Sequence, residues 1–132
     1  MLTNWCTIAA GAAAGVLGTV VNGLYFVGFQ LLAHQRYPQT GFGSIAVSSL
    51  APPMLGAVAA LALSRFTPKA GAIFAAVALC VTVLSFAQVL SPTLSRGVAK
   101  PPGFDALVLP MHVVVGATAA WLIPASLRRS NA

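Results

Sequence analysis

The sequence predicts an all-α, polytopic membrane protein, an antiparallel bundle of four transmembrane helices in a single domain over residues 1–132. Of its residues, 58% are hydrophobic and only 6% are charged, whereas a soluble domain carries about 25% charged residues. The apolar residues fall in four long runs, each close to the roughly 20 residues that a helix needs to cross a bilayer. Four spans and their loops occupy these 132 residues, which leaves no room among them for a soluble domain.

The first span is predicted over about residues 8–29 and carries a face of small residues. Spacings of four, three and four place these residues on one side of a helix: Gly11, Gly15, Gly18 and Asn22. Glycines four residues apart let a neighbouring helix approach closely. We therefore expect the three glycines to be helix-packing positions. No Lys or Arg precedes the apolar run, which favours an uncleaved span over a secretory signal peptide.

The second and third spans, predicted over about 44–64 and 71–90, bring polar residues into the bilayer. The second contains Ser48 and Ser49, followed by the pair Pro52–Pro53. Because proline has no N–H to donate, it leaves carbonyls of the preceding turn in need of other partners. The third span carries a stripe that changes from small to polar residues and ends at Gln88.

The fourth span is predicted over about 106–127 and contains a histidine. It follows Asp105, the sole acidic residue of the chain, whose expected role is to stabilise the N-terminus of the helix. An ionisable side chain inside a span needs a partner from the bundle, so His112 is a candidate functional residue. Gly116 lies on the same face and is a further candidate for helix packing.

The polar side chains of the four spans lie at a shared depth, in the half of the bilayer next to the first and third loops. They are Asn22, Ser48, Ser49, Gln88 and His112. We expect the amides and the imidazole to converge, with one of the two serines nearby. Three interpretations remain open: a cluster that only satisfies its own hydrogen bonds, a small polar pocket that binds a ligand, or side chains with separate partners.

The charged residues indicate contact with lipid. The formal net charge is +6, and the basic residues lie at span ends, where they meet headgroups and not nucleic acid. Four of them fall on the side of the second loop and the termini, and three on the other side. Because cytoplasmic loops carry more Lys and Arg, this favours a cell-membrane protein with both termini in the cytoplasm. The two sets are Arg65, Lys69, Arg128 and Arg129, against Arg36, Arg96 and Lys100.

Motifs of several catalytic and transport classes are missing from the sequence. It has no CxxC pair or zinc spacing and no carboxylate within a span. Haem held between helices needs two facing histidines, and one of the two histidines present, His34, is predicted in a loop. We expect no enzyme activity, no cofactor and no metal. The first functional hypothesis is a structural or accessory subunit whose partners are the bilayer and other membrane subunits or a second copy. The alternative is a small-molecule or lipid-binding or transport component that uses the polar cluster.

Three short segments carry a resemblance to a known family, and they span nearly the whole chain. The segments are Val21–Tyr25, Ser85–Pro92, and Pro110–His112 together with Ile123–Pro124. They resemble an uncharacterised family of small four-span bacterial membrane proteins. The resemblance implies the four-span fold and implies that Asn22 and His112 match recurring family positions. It implies no activity, substrate or cofactor.

Overall fold

Over the residues that the structure describes, the protein forms four long helices in an antiparallel bundle, as the sequence predicts. In a computed structural model, the described residues are 2–92, 94 and 98–130, so Arg96 lies outside them. All four helices are long and apolar enough to cross a membrane. They are α1 (Leu2–Ala33), α2 (Phe42–Ser64), α3 (Ala70–Val89) and α4 (Phe104–Ser130).

The first helix extends beyond the predicted span at both ends, Leu2–Ala33 against 8–29. Its 32 residues rise about 48 Å, which exceeds the hydrocarbon thickness of about 30 Å. The ends of α1 therefore reach the headgroup regions. The end of α1 and the start of α2 lie with the end of α3 and the start of α4 at one end of the bundle, here called the long-loop end. Residues 65–69, the start of α1 and the end of α4 lie at the other, the short-loop end.

The helices pack unevenly around the bundle. α1 lies along both α2 and α4, and α3 lies along α4. Of the helix pairs in contact, α2 and α3 have the smallest contact, and no residue pair brings α1 and α3 together in the described part of the chain. Two buried apolar clusters hold the bundle, one towards each end. The first contains Ala57, Ala60, Ala70, Phe74, Ala119, Ile123 and Leu127, and the second contains Phe26, Tyr37, Ile45, Leu107 and Met111.

Two glycines of α1 allow its backbone to contact α2. A Cβ atom added at Gly11 would lie 2.7 Å from the Cβ of Ala57 and 2.8 Å from the carbonyl oxygen of Pro53. One added at Gly15 would lie 2.9 Å from the Cα of Leu50. Real Cβ atoms do not approach other atoms so closely, so α1 and α2 can pack this way only with glycine at both positions.

The other two predicted packing glycines differ from each other. At Gly116, an added Cβ would lie 2.0 Å from the hydroxyl oxygen of Thr82, so α3 and α4 also require glycine where they cross. At Gly18, the nearest atoms would be Val115 Cγ2 at 3.5 Å and Ser49 Cβ at 3.6 Å. That is ordinary van der Waals contact. Gly18 thus faces the neighbouring helices without being needed for their approach.

The two connections at the long-loop end are joined by hydrogen bonds. The buried Tyr37 hydroxyl donates to the carbonyl of Pro102 at 2.9 Å. Gly103, with φ of +74°, has no Cβ that would collide with that hydroxyl. Lys100 donates to the carbonyl of Val89 at the end of α3 and pairs with Asp105 at 2.5 Å in the first turn of α4. Asp105 thus lies where a negative charge stabilises a helix N-terminus, and it also receives a cation.

Candidate functional site

A groove of about 890 Å³ lies between α2 and α3, where helix packing is loosest. Its walls are α2 from Ser44 to Leu63 and α3 from Phe74 to Ser85, and α4 forms its floor from Phe104 to Ala119. Asn22 is the residue that α1 contributes. Ligand pockets in proteins have volumes of about 300–1,000 Å³, so the groove has the size of a binding site.

The groove opens sideways, towards the surrounding lipid. Its rim includes Leu55 of α2 and Val77 and Val81 of α3, and all three side chains are exposed. Large exposed apolar side chains on a transmembrane helix face hydrocarbon. A molecule dissolved in the bilayer could therefore enter between α2 and α3 without passing through water.

The polar side chains of the groove lie towards one end, beside apolar ones such as Phe104 and Val108, and the other end is wholly apolar. Towards the short-loop end the lining consists of side chains such as Leu63, Phe74 and Ala119. Towards the long-loop end it carries the polar side chains. These are Asn22, Thr40, Ser44, Ser48, Ser49, Thr82, Ser85 and His112. The groove thus has the polarity of an amphiphile placed parallel to the helices.

The amide of Asn22 joins three helices and keeps one atom unused. The side chain is 2% exposed, and its Nδ2 donates to the Ser49 hydroxyl at 3.1 Å and to the Met111 carbonyl at 3.2 Å. A carbonyl only accepts, so the amide cannot be turned the other way. Its Oδ1 is buried and has no hydrogen-bond partner among the described residues.

The imidazole of His112 offers one ring nitrogen to the groove. The half-buried ring has its Nδ1 3.0 Å from the carbonyl oxygen of Val108, one turn earlier in α4. Because that carbonyl only accepts, Nδ1 carries the proton, and in the neutral ring Nε2 is an acceptor. No direct hydrogen bond joins His112 to Asn22 within the part of the chain that the structure describes, although Asn22 bonds to the carbonyl of the adjacent Met111.

Three hydroxyl groups along the groove direct their protons to their own helices. Ser48 donates to the carbonyl of Ser44 at 2.6 Å, Thr82 to that of Ala78 at 2.8 Å, and Ser85 to that of Thr82 at 2.6 Å. A hydroxyl has one proton and two lone pairs. Each oxygen therefore presents lone pairs to the groove and has no proton left to donate.

Gln88 does not join the other polar residues, contrary to the expected convergence. It is exposed in the last turn of α3 and does not line the groove. Since the described residues of α1 and α3 make no contact, the amide cannot meet Asn22. At the end of a span, a glutamine side chain reaches headgroups and interfacial water, so it needs no partner inside the bundle. The other four predicted residues, Asn22, Ser48, Ser49 and His112, do line one groove.

Two polar residues of α3, Thr82 and Ser85, occupy the groove in place of Gln88. They lie on the same small-to-polar stripe of the sequence, closer to the middle of the bilayer.

A second contact that was not predicted, between Tyr25 and Ala106, has a clear sequence signal. Pro110 has no N–H for the carbonyl of Ala106, one turn earlier, and the Tyr25 hydroxyl donates to that carbonyl at 2.7 Å. In the described part of the chain, no three His, Cys, Asp or Glu side chains come together as metal ligands.

One of three comparisons with known proteins gives a match, and it covers nearly the whole chain. No curated protein and no solved structure matches it significantly. A family model, described as a family of unknown function (DUF6069), matches residues 1–131. The predicted resemblance to an uncharacterised family of small four-span proteins is therefore confirmed. This multi-pass membrane protein belongs to the DUF6069 family of unknown function.

Proposed function

We propose that this protein binds an amphiphilic molecule from the bilayer, with the apolar body along α3 and the polar head beside Asn22 and His112. The observation that carries the proposal is the amide of Asn22, which lines a groove of about 890 Å³ and whose buried oxygen has no hydrogen-bond partner among the described residues. A ligand reaches this oxygen when the side chains that cover it move aside. This is a binding function and not a catalytic one. It takes place in a cell membrane, with both termini on the cytoplasmic side.

Hydrogen-bond energetics favour an occupant with a polar head over lipid tails alone. Hydrocarbon chains can fill the apolar part of the groove, but they leave Asn22 Oδ1 without a partner. A buried acceptor without a hydrogen bond costs about 1–3 kcal/mol. A ligand that donates to this oxygen recovers that free energy, whereas an alkyl chain does not.

The hypothesis of a structural or accessory subunit has less support from the contacts. Its main basis is the glycine face of α1, because such faces associate with neighbouring helices. Gly11 and Gly15 are in contact with Pro53, Ala57 and Leu50 of the same chain. The glycine face is thus already covered within one molecule, and it leaves no free glycine surface there for a second protein.

Blocking the groove tests the proposal. Val81 lines the groove and is 58% exposed, whereas Val83 of the same helix is outside it and 63% exposed. Val81→Trp places an indole in the groove, and Val83→Trp places the same group on the lipid-facing surface. The wild-type protein and both variants are purified in mild detergent, and bound amphiphiles are quantified by native mass spectrometry.

We expect wild type and Val83→Trp to retain a defined amphiphile that Val81→Trp loses. Equal retention by the two variants, or only bulk lipid on the wild-type protein, would contradict the proposal. A homogeneous complex with another membrane protein and no amphiphile would favour the subunit hypothesis.

A further inference from the structure

We propose that the groove selects an amphiphile whose head is a neutral hydroxyl group, in preference to phosphate, carboxylate or ammonium heads. This inference rests on the proposed function, because it specifies the chemistry of the ligand that the groove binds. It follows from the directions of the hydrogen bonds that the lining residues already make, since those bonds determine which atoms remain for a ligand.

The deepest polar atoms of the groove are acceptors. Both N–H groups of Asn22 are used by Ser49 and Met111, so the amide offers only its oxygen. The Nδ1 of His112 faces the carbonyl of Val108, so the neutral ring offers only the lone pair of Nε2. A ligand group that meets these two atoms must donate hydrogen bonds.

The hydroxyl groups along the walls add further acceptors. Ser48, Thr82 and Ser85 each donate to a carbonyl of their own helix. Pro52, in addition, has no N–H to donate to the carbonyl of Ser48. The Ser49 hydroxyl keeps a proton of its own, but it is 1% exposed and is occupied by Asn22. At the depth of these residues the groove therefore offers mainly lone pairs, and the Thr40 hydroxyl, nearer the long-loop end, is a donor that its lining adds.

Charge then separates the donor groups that could fit. Oxyanions of phosphate or carboxylate would place negative oxygens against these lone pairs, and the nearby cation of Lys100 is already paired with Asp105. An ammonium group would enter a chain with seven basic residues and one acidic residue. It would also bear the cost of moving a charge into hydrocarbon without a counter-ion. A hydroxyl group donates a hydrogen bond without either penalty.

Three photoaffinity probes with the same alkyl chain and diazirine test the head-group preference. One ends in a primary alcohol, one in its methyl ether, and one in a carboxylic acid. Each is added to the full-length protein in phosphatidylcholine nanodiscs, and labelled peptides are identified by mass spectrometry. We expect the alcohol to label groove peptides with about tenfold higher apparent affinity than the ether, the factor that one hydrogen bond of about 1.4 kcal/mol provides. We expect the acid to label less than the alcohol.

Two substitutions test which atoms accept the hydrogen bond. Asn22→Leu and His112→Phe each remove one acceptor and keep a side chain of similar size, and Gln88→Leu removes an amide outside the groove. A hydroxyl has one proton and donates to one of the two acceptors, so we expect the preference for alcohol over ether to fall severalfold in the variant that removes that acceptor and to remain in Gln88→Leu. If circular dichroism shows that Asn22→Leu does not fold, Asn22→Ala takes its place.

The outcomes separate the two proposals. Equal labelling of the groove by alcohol and ether, or stronger labelling by the acid, overturns the head-group inference while amphiphile binding stands. An alcohol preference that survives both acceptor substitutions overturns the assignment to Asn22 and His112. Labelling by no probe inside the groove overturns the proposed function itself.

Discussion

Replacing Gly15 by alanine should weaken the bundle, whereas the same replacement at Gly18 should not. The two glycines lie on one face of α1, one turn apart. At Gly15 the new Cβ would lie 2.9 Å from the Cα of Leu50, and ordinary contact begins at 3.4 Å. The shortfall is 3.4 − 2.9 = 0.5 Å. Because the opposing atom belongs to the backbone, no side chain can rotate away, and α1 must move from α2.

The free-energy balance has opposite signs at the two positions. Overpacking of a well-packed contact costs about 1–3 kcal/mol, and a gap of 0.5–1 Å also forfeits about a quarter to a half of the dispersion energy of the separated atoms. Alanine in a helix gains about 0.5–1 kcal/mol over glycine. We therefore expect Gly15→Ala to be destabilised by about 1–2 kcal/mol. Gly18→Ala should be as stable as wild type or more stable, by up to about 1 kcal/mol.

Unfolding in mixed detergent micelles measures both free energies. The wild type and the two variants are titrated with sodium dodecyl sulfate while helix packing is followed by tryptophan fluorescence. Gly18→Ala serves as the matched control, because it is the same substitution on the same face. Equal stability of the two variants would show that α1 and α2 do not approach through Gly15, and the reasoning from their contact would be refuted.

Three further predictions use the same measurements. Asn22→Leu should change the free energy of unfolding by less than about 1 kcal/mol. The loss of two interhelical hydrogen bonds of about 0.6 kcal/mol each is offset by removal of an unsatisfied oxygen. A loss of several kcal/mol would contradict this. Tyr25→Phe should lower the free energy of unfolding by about 1 kcal/mol in wild type. In the Pro110→Ala variant it should have no effect, because that substitution restores an N–H to the Ala106 carbonyl. An additive double-mutant cycle would argue against that link. Lys100→Met should accelerate proteolysis between α3 and α4, because it removes the contacts of Lys100 with Val89 and Asp105. Arg36→Met, at an exposed position, serves as the control. Equal digestion of both variants would show that the ion pair does not hold the connection.

The membrane fold was predictable because hydrocarbon imposes strong constraints on a sequence. Few charges and long apolar runs leave the transmembrane helix as the structure that satisfies every backbone hydrogen bond. The depth of a polar residue also follows from its position in the span, since a helix rises by a constant 1.5 Å per residue. This is why Asn22 and Ser49, on different helices, could be expected at one level. Their hydrogen bond confirms that they meet.

Depth alone does not determine which helices are neighbours. Gln88 was expected at a similar depth, but it lies in the last turn of α3, which has no contact with α1 among the described residues. The neighbours depend on close contacts of individual atoms, such as Gly15 with Leu50 and Gly116 with Thr82, and these are invisible in a list of small residues. The same limit applies to Gly18, which shares the spacing of the other glycines without sharing their contact. The groove between α2 and α3 results from this uneven packing and has no sequence pattern of its own.

The sideways opening between α2 and α3 determines how binding would be described quantitatively. A ligand that arrives through lipid is in equilibrium with the bilayer and not with the aqueous phase. Occupancy would then depend on the mole fraction of ligand among the lipids, and dilution of the sample with buffer would leave it unchanged. Encounter would occur by two-dimensional diffusion in the plane of the membrane, and even a weak complex could be fully occupied when its ligand is an abundant membrane component.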